Sequence, residues 1–73
     1  MGDSVSEKYN VGDFCYFLND NNKVLFCEIK AIYSNEKELA YQVQDQINYR
    51  FCTVPHRYCA DEEKQLKGRK RNE

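Results

Sequence analysis

Residues 9–33, YNVGDFCYFLNDNNKVLFCEIKAIY, constrain the fold more than any other stretch. Two runs of aromatic and aliphatic residues flank four consecutive turn formers, Asn19, Asp20, Asn21 and Asn22. Asn and Asp accept left-handed backbone and bond their own main chain, so they reverse a chain between strands. Val11, Gly12 and Asp13 lead in, and Gly12 supplies the backbone angles that a tight turn needs. The pattern is a turn, a strand over Phe14–Leu18, a hairpin loop and a long strand over residues 23–33.

Strand alternation divides the side chains between two faces. In the first strand Cys15 and Phe17 share one face, while Phe14, Tyr16 and Leu18 share the other. In the second, Leu25, Cys27, Ile29, Ala31 and Tyr33 form the cleaner apolar face. A strand this long bends, and a bulge that shifts the register by one turns Ile32 inward. Ser34, Asn35, Glu36 and Lys37 form the next turn, and a half-buried third strand covers residues 39–44. A turn at residues 45–48 precedes a fourth strand at 49–54. Pro55, which lacks an N–H, ends it. Residues 55–57 form one tight helical turn before a short strand at Tyr58 and Cys59. Asp61 is placed to cap a short C-terminal helix over residues 62–66, ended by Gly68.

The expected class is all-β, a small barrel of about five antiparallel strands with a short C-terminal helix. Residues 1–8 are expected as a flexible tail, 9–67 as the domain, and 68–73 as a basic disordered tail. At 73 residues the chain has room for one thin core, which makes a homodimer an expected stabiliser.

The net charge of −1 conceals an asymmetry. Residues 1–45 hold four Lys against eight Asp and Glu, and residues 46–73 hold seven Lys and Arg against four. A dedicated nucleic-acid binder carries a basic excess over the whole domain. Here only the C-terminal half does, so nucleic acid is the second choice of partner, with Arg69, Lys70 and Arg71 as the contacts. No apolar run reaches the ~18 residues of a membrane span. The N-terminus has no apolar signal-peptide core, so a cytoplasmic or nuclear location, not secretion, is expected. Gly2 with Ser6 fits the loose myristoylation pattern, which by itself anchors weakly.

The four Cys are expected reduced in such a compartment. Cys52, His56 and Cys59 are weak candidates for a metal site, since no Cys-x-x-Cys knuckle accompanies them. No cofactor is expected. Neither is catalysis, as there is no Ser-His-Asp set, carboxylate pair or phosphate loop.

The Val11-Gly12-Asp13 opening, Cys15, the polar hairpin loop, residues 29–32, and then Tyr41, Val43, Asp45 and Asn48 resemble Tudor-type SH3-like barrels. The opening, the Tyr16-Phe17 pair and the acidic final segment also resemble short SH3-like proteins of bacteria and bacteriophages. The resemblance covers about residues 9–66. It implies the barrel fold and, for Tudor domains, an aromatic cage for methylated Lys or Arg. The positions matching that cage are Asn19, Leu25, Val43 and Gln46, none of them aromatic. A cage would draw instead on Tyr16, Phe26, Tyr41, Tyr49 or Phe51.

The functional expectation is a non-catalytic module that binds a protein or peptide. Tyr16, Tyr33, Tyr41, Tyr49 and Phe51 are the expected binding residues, because Tyr offers contact area with a polar handle.

Overall fold

The computed structural model describes residues 9–71. The expected tail at 1–8, Gly2 and Ser6 with it, and the last two residues of the basic tail lie outside that range. The chain forms β1 (Phe14–Leu18), β2 (Val24–Ser34), β3 (Leu39–Asp45), β4 (Phe51–Pro55) and β5 (Cys59–Ala60). These make one antiparallel sheet in the order β4-β3-β2-β1-β5. Its edges, β4 and β5, are not paired with each other.

Turn chemistry sets the register. Gly12 takes φ +97°, and its N–H reaches the Ile29 carbonyl at 2.8 Å. The Ile29 N–H returns to the Asp13 carbonyl at 2.8 Å. In the β1–β2 loop the Asn19 carboxamide accepts the N–H groups of Asn21 and Lys23, both at 2.9 Å. Asn35 does the same for Lys37 and Glu38 between β2 and β3.

β2 carries the expected bulge, between Ile29 and Ala31. Before it Cys27 and Ile29 are buried, and after it Ile32 packs against the core while Tyr33 turns outward. Cys15, Phe17, Cys27, Ile29, Tyr41, Val43 and Val54 fill the core. Leu18, expected on the outer face, is buried as well, where Arg71 bonds to its carbonyl at 3.2 Å.

Three expectations are corrected. The C-terminal helix is a single 3₁₀ turn, Glu63–Gln65. Five residues between the acidic start and Gly68 are too few to repay helix nucleation. Glu62, not Asp61, caps that turn through a reciprocal pair with Gln65. Asp61 instead accepts the Tyr9 hydroxyl at 2.8 Å. Third, Tyr41 is not a surface residue: it is 0% exposed.

Tyr41 is a structural hub. Its hydroxyl accepts the Tyr9 N–H at 3.0 Å and lies 2.9 Å from His56 Nδ1. A hydroxyl has one proton and two lone pairs, so it can serve the Tyr9 amide and the His56 ring together. This ties the lead-in to the 3₁₀ turn His56–Tyr58. Tyr41→Phe, which leaves both partners unsatisfied, is expected to cost about 1–2 kcal/mol in urea unfolding without changing the sheet's circular dichroism.

Candidate functional site

The registers line up residues from four strands. Phe14 pairs with Glu28, Glu28 with Gln44, and Gln44 with Phe51. Paired residues share a face, so Phe14, Glu28, Gln44 and Phe51 form one row across the sheet. Tyr16 pairs with Phe26 in the adjacent row. This is the face opposite the core, and it is apolar at both ends. Phe14 and Phe51 are 54% and 57% exposed. The Phe14 and Phe26 rings stack at 5.6 Å with 13° between planes, and Tyr16 tilts onto Phe26 at 5.2 Å. Polar groups sit between the ends: Glu28 pairs with Lys30 at 3.3 Å, and Gln46 bonds to the Gln44 carbonyl.

The β3–β4 turn extends the apolar end. Asp45 is buried, and its carboxylate accepts the Ile47 N–H at 2.7 Å and the Asn48 side chain at 3.2 Å. The Tyr49 N–H reaches the Asp45 carbonyl at 2.7 Å. This folds Tyr49 to φ +59°, a left-handed conformation costly for a bulky side chain. Ile47 and Tyr49 are thereby held outward beside Phe51, both exposed. Strain of this kind gathers at binding and catalytic sites.

A groove of about 390 Å³ opens beside β4. Residues 50–53, residues 19–21 and Arg71 border it, with Phe17, Leu25, Asp45 and Asn48.

Of the expected binding residues, Tyr16 and Phe51 lie on this side of the sheet, Tyr49 is exposed in the turn before β4, not in a strand as expected, and Tyr33 is exposed at the far end of β2. Tyr41 belongs to the core. Of the alternative cage aromatics, only Phe51 lines the groove, together with the buried Phe17. Phe14 belongs to the apolar face and Ile47 is exposed in the turn after β3, but neither carried a sequence signal beyond strand parity and a position in a turn.

Cys52, His56 and Cys59 do not converge. Cys52 lines the groove, His56 faces Tyr41, and the Cys59 thiol faces the Pro55 carbonyl at 3.8 Å. Among the described residues no three His, Cys, Asp or Glu side chains gather as metal ligands. Cys15 and Cys27 meet as a cross-strand pair with sulfurs 3.8 Å apart, and Cys59 also hydrogen-bonds to Cys15. Hydrogen bonding to Cys15 and burial push the Cys27 and Cys59 thiols well above the usual range.

As far as Arg71 the basic end makes contacts with the rest of the fold. Arg69 donates to the Arg57 carbonyl at 3.1 Å. The Arg71 N–H bonds to Asn22 at 2.9 Å, and its guanidinium meets Asp20 at 3.2 Å. Arg57, Arg69 and Arg71 all lie over the buried Tyr58 ring, at 4.9, 5.6 and 4.9 Å. Of the three expected nucleic-acid contacts, Arg69 and Arg71 are engaged in the fold and Lys70 is exposed.

No helix is long and apolar enough to cross a membrane among the described residues. No family model, curated protein or solved structure matches the chain.

Two outcomes follow from the site's thiols and hydroxyls. Cys52 is the exposed thiol and is expected to label first under native conditions, with Cys15 and Cys27 reacting only as the protein unfolds, as peptide mapping after timed alkylation will show. The second concerns Tyr9, whose phenol is raised by burial and then by its bond to Asp61. A raised folded-state pKa adds stability below the unfolded value, about pH 10, that is lost as pH rises past it. Tyr9→Phe is therefore expected to flatten the fall in unfolding free energy above about pH 10, with no difference in slope at neutral pH.

Proposed function

We propose that this chain is a non-catalytic protein-interaction module built on a small SH3-like barrel. The carrying observation is the outward aromatic face: Phe14, Tyr16 and Phe26 at one end, Ile47, Tyr49 and Phe51 at the other. A chain with so thin a core gains stability from every aromatic ring that it buries. Large side chains left outside together, one of them on a strained backbone, mark a surface kept for contact. Tyr and Phe supply contact area at low conformational cost. The polar centre at Glu28 and Gln44 suits a protein partner, whose own polar groups must be satisfied when covered.

The Tudor resemblance adds the barrel but not its ligand. A methylated cation needs several ring faces around one point. In the groove beside β4 Phe51 contributes the single exposed ring.

Tyr49→Gly separates binding from folding. Gly accepts φ +59° without strain, so the variant is expected to unfold at the same or a higher urea concentration, gaining up to about 1 kcal/mol. Tyr49→Gly and Phe14→Ser are each expected to lower recovery of bound partner by about tenfold or more, as removal of an interface anchor does. Recovery would be measured by quantitative affinity enrichment against the wild type. Unchanged recovery with both variants folded refutes the assignment of this face.

A further inference from the structure

The groove beside β4 has an unusual lining. Residues 50, 51, 52 and 53 all border it, four in succession. Side chains alternate across a strand, so a cavity on one face of β4 would touch every second residue. A cavity bordered by consecutive residues runs along the strand's edge. β4 is the terminal strand of the sheet, so this edge is the unpaired one.

Hydrogen-bond parity shows what the edge offers. The Asp45 N–H bonds to the Arg50 carbonyl at 2.9 Å. Alternate residues of an antiparallel strand bond to the same neighbour. Cys52, paired with Val43, and Val54, paired with Tyr41, therefore turn their main-chain groups to β3. Phe51 and Thr53 turn theirs to the groove. Pro55 has the same parity and has no N–H to offer, which is where a strand tolerates Pro. Two residues thus present a donor and an acceptor each, bounded by Pro55 and by the left-handed Tyr49.

We propose that this groove binds an extended peptide segment of a partner protein as an added strand. It pairs with the main chain of Phe51 and Thr53 and places one aliphatic side chain over Cys52, Phe17 and Leu25. The chemistry of the inner side chain follows from register. Cys52 pairs with the buried Val43 and Phe17 pairs with Leu25, so the guest residue opposite Cys52 shares their apolar face. The length of the free edge decides the occupant between a lone strand and a second copy of this chain. Two residues, Phe51 and Thr53, lie between Pro55 and the left-handed Tyr49, which suits a short segment. Residues 19–21 and Arg71 also border the groove, and Arg71 is held there by Asp20, Asn22 and the Leu18 carbonyl, where a second sheet would have to bring its neighbouring strands. Strand addition of this kind draws affinity from the main chain and selectivity from alternate side chains.

This inference rests on the interaction-module reading and narrows its partner. The test uses the full chain and a displayed library of random nonapeptides, with selected peptides synthesised and titrated. Amide hydrogen exchange is followed residue by residue by NMR. In the free protein Phe51 and Thr53 are expected to exchange fast, and Cys52 and Val54 slowly. With a selected peptide at ten times its Kd, Phe51 and Thr53 should slow by about tenfold, the factor mass action gives when only the bound state protects. Cys52 and Val54 should not change. Thr53→Pro, which removes one outward donor and leaves the β3 ladder whole, should abolish the protection at Phe51 while Val54 stays slow. Cys52→Arg, which fills the inner face, should weaken the same peptides.

Selected peptides that protect neither Phe51 nor Thr53 overturn the inference. If they instead shift Phe14 and Phe26, the edge is wrong and the outer-face reading stands. Protection at Phe51 and Thr53 that grows with protein concentration in the absence of peptide also overturns it, in favour of a second copy. If no peptide is selected and the Tyr49→Gly and Phe14→Ser variants keep full partner recovery, both readings fall together.

Discussion

The structure depends on one strand pairing on both sides at once. Cys27 faces Cys15 across β1 and Asp45 across β3, and Glu28 faces Phe14 and Gln44. Below this point β2 belongs to the β1 hairpin, and above it to the β3 hairpin. The bulge after Ile29 lets it bend between them. The two residues facing each other at this crossing are cysteines, small enough to bring β1 and β2 together with sulfurs 3.8 Å apart and no exposed surface to speak of. A larger pair here would spread the hairpin and lift Phe17 and Ile29 from the core, because interiors this dense do not absorb extra volume without strain.

What was legible in the sequence was whatever short-range chemistry decides. The Asn19 loop, the Gly12 turn and the bulge before Ile32 are visible because each is settled within a few residues, by turn formers or by a break in alternation. Strand existence and order of appearance follow from the same signals. The C-terminal segment was not legible, and its errors share a cause. Asp61 looks like a cap until Tyr9, distant in sequence, claims it. The basic run looks solvated until Arg71 reaches Leu18, Asp20 and Asn22 across the hairpin. Long-range contacts of this kind leave no periodicity behind.

Tyr41 shows the same limit at the candidate site. Its strand position fits core or surface, and a polar hydroxyl argues for the surface. The hydroxyl is buried because two partners wait for it, the Tyr9 amide and His56. Composition counts six Tyr without saying which have such partners. Tyr49 is the opposite case: its turn holds it out of the core, in a conformation that Gly would adopt more cheaply.

The open edge of β4 is a hazard as well as an opportunity. An exposed strand edge recruits other chains without limit unless something stops it. Here three features restrict it. Pro55 removes the next donor, the left-handed Tyr49 ends the ladder on the other side, and the hairpin loop and Arg71 border the groove. What remains is two residues long. So short an edge gives a second sheet little to pair with while leaving donors and acceptors that a short segment satisfies. Arg71 takes part in this balance, since its guanidinium is held by a carbonyl, a carboxylate and the Tyr58 ring. The same contacts that hold Arg71 thus place it on the border of a groove that β4 lines.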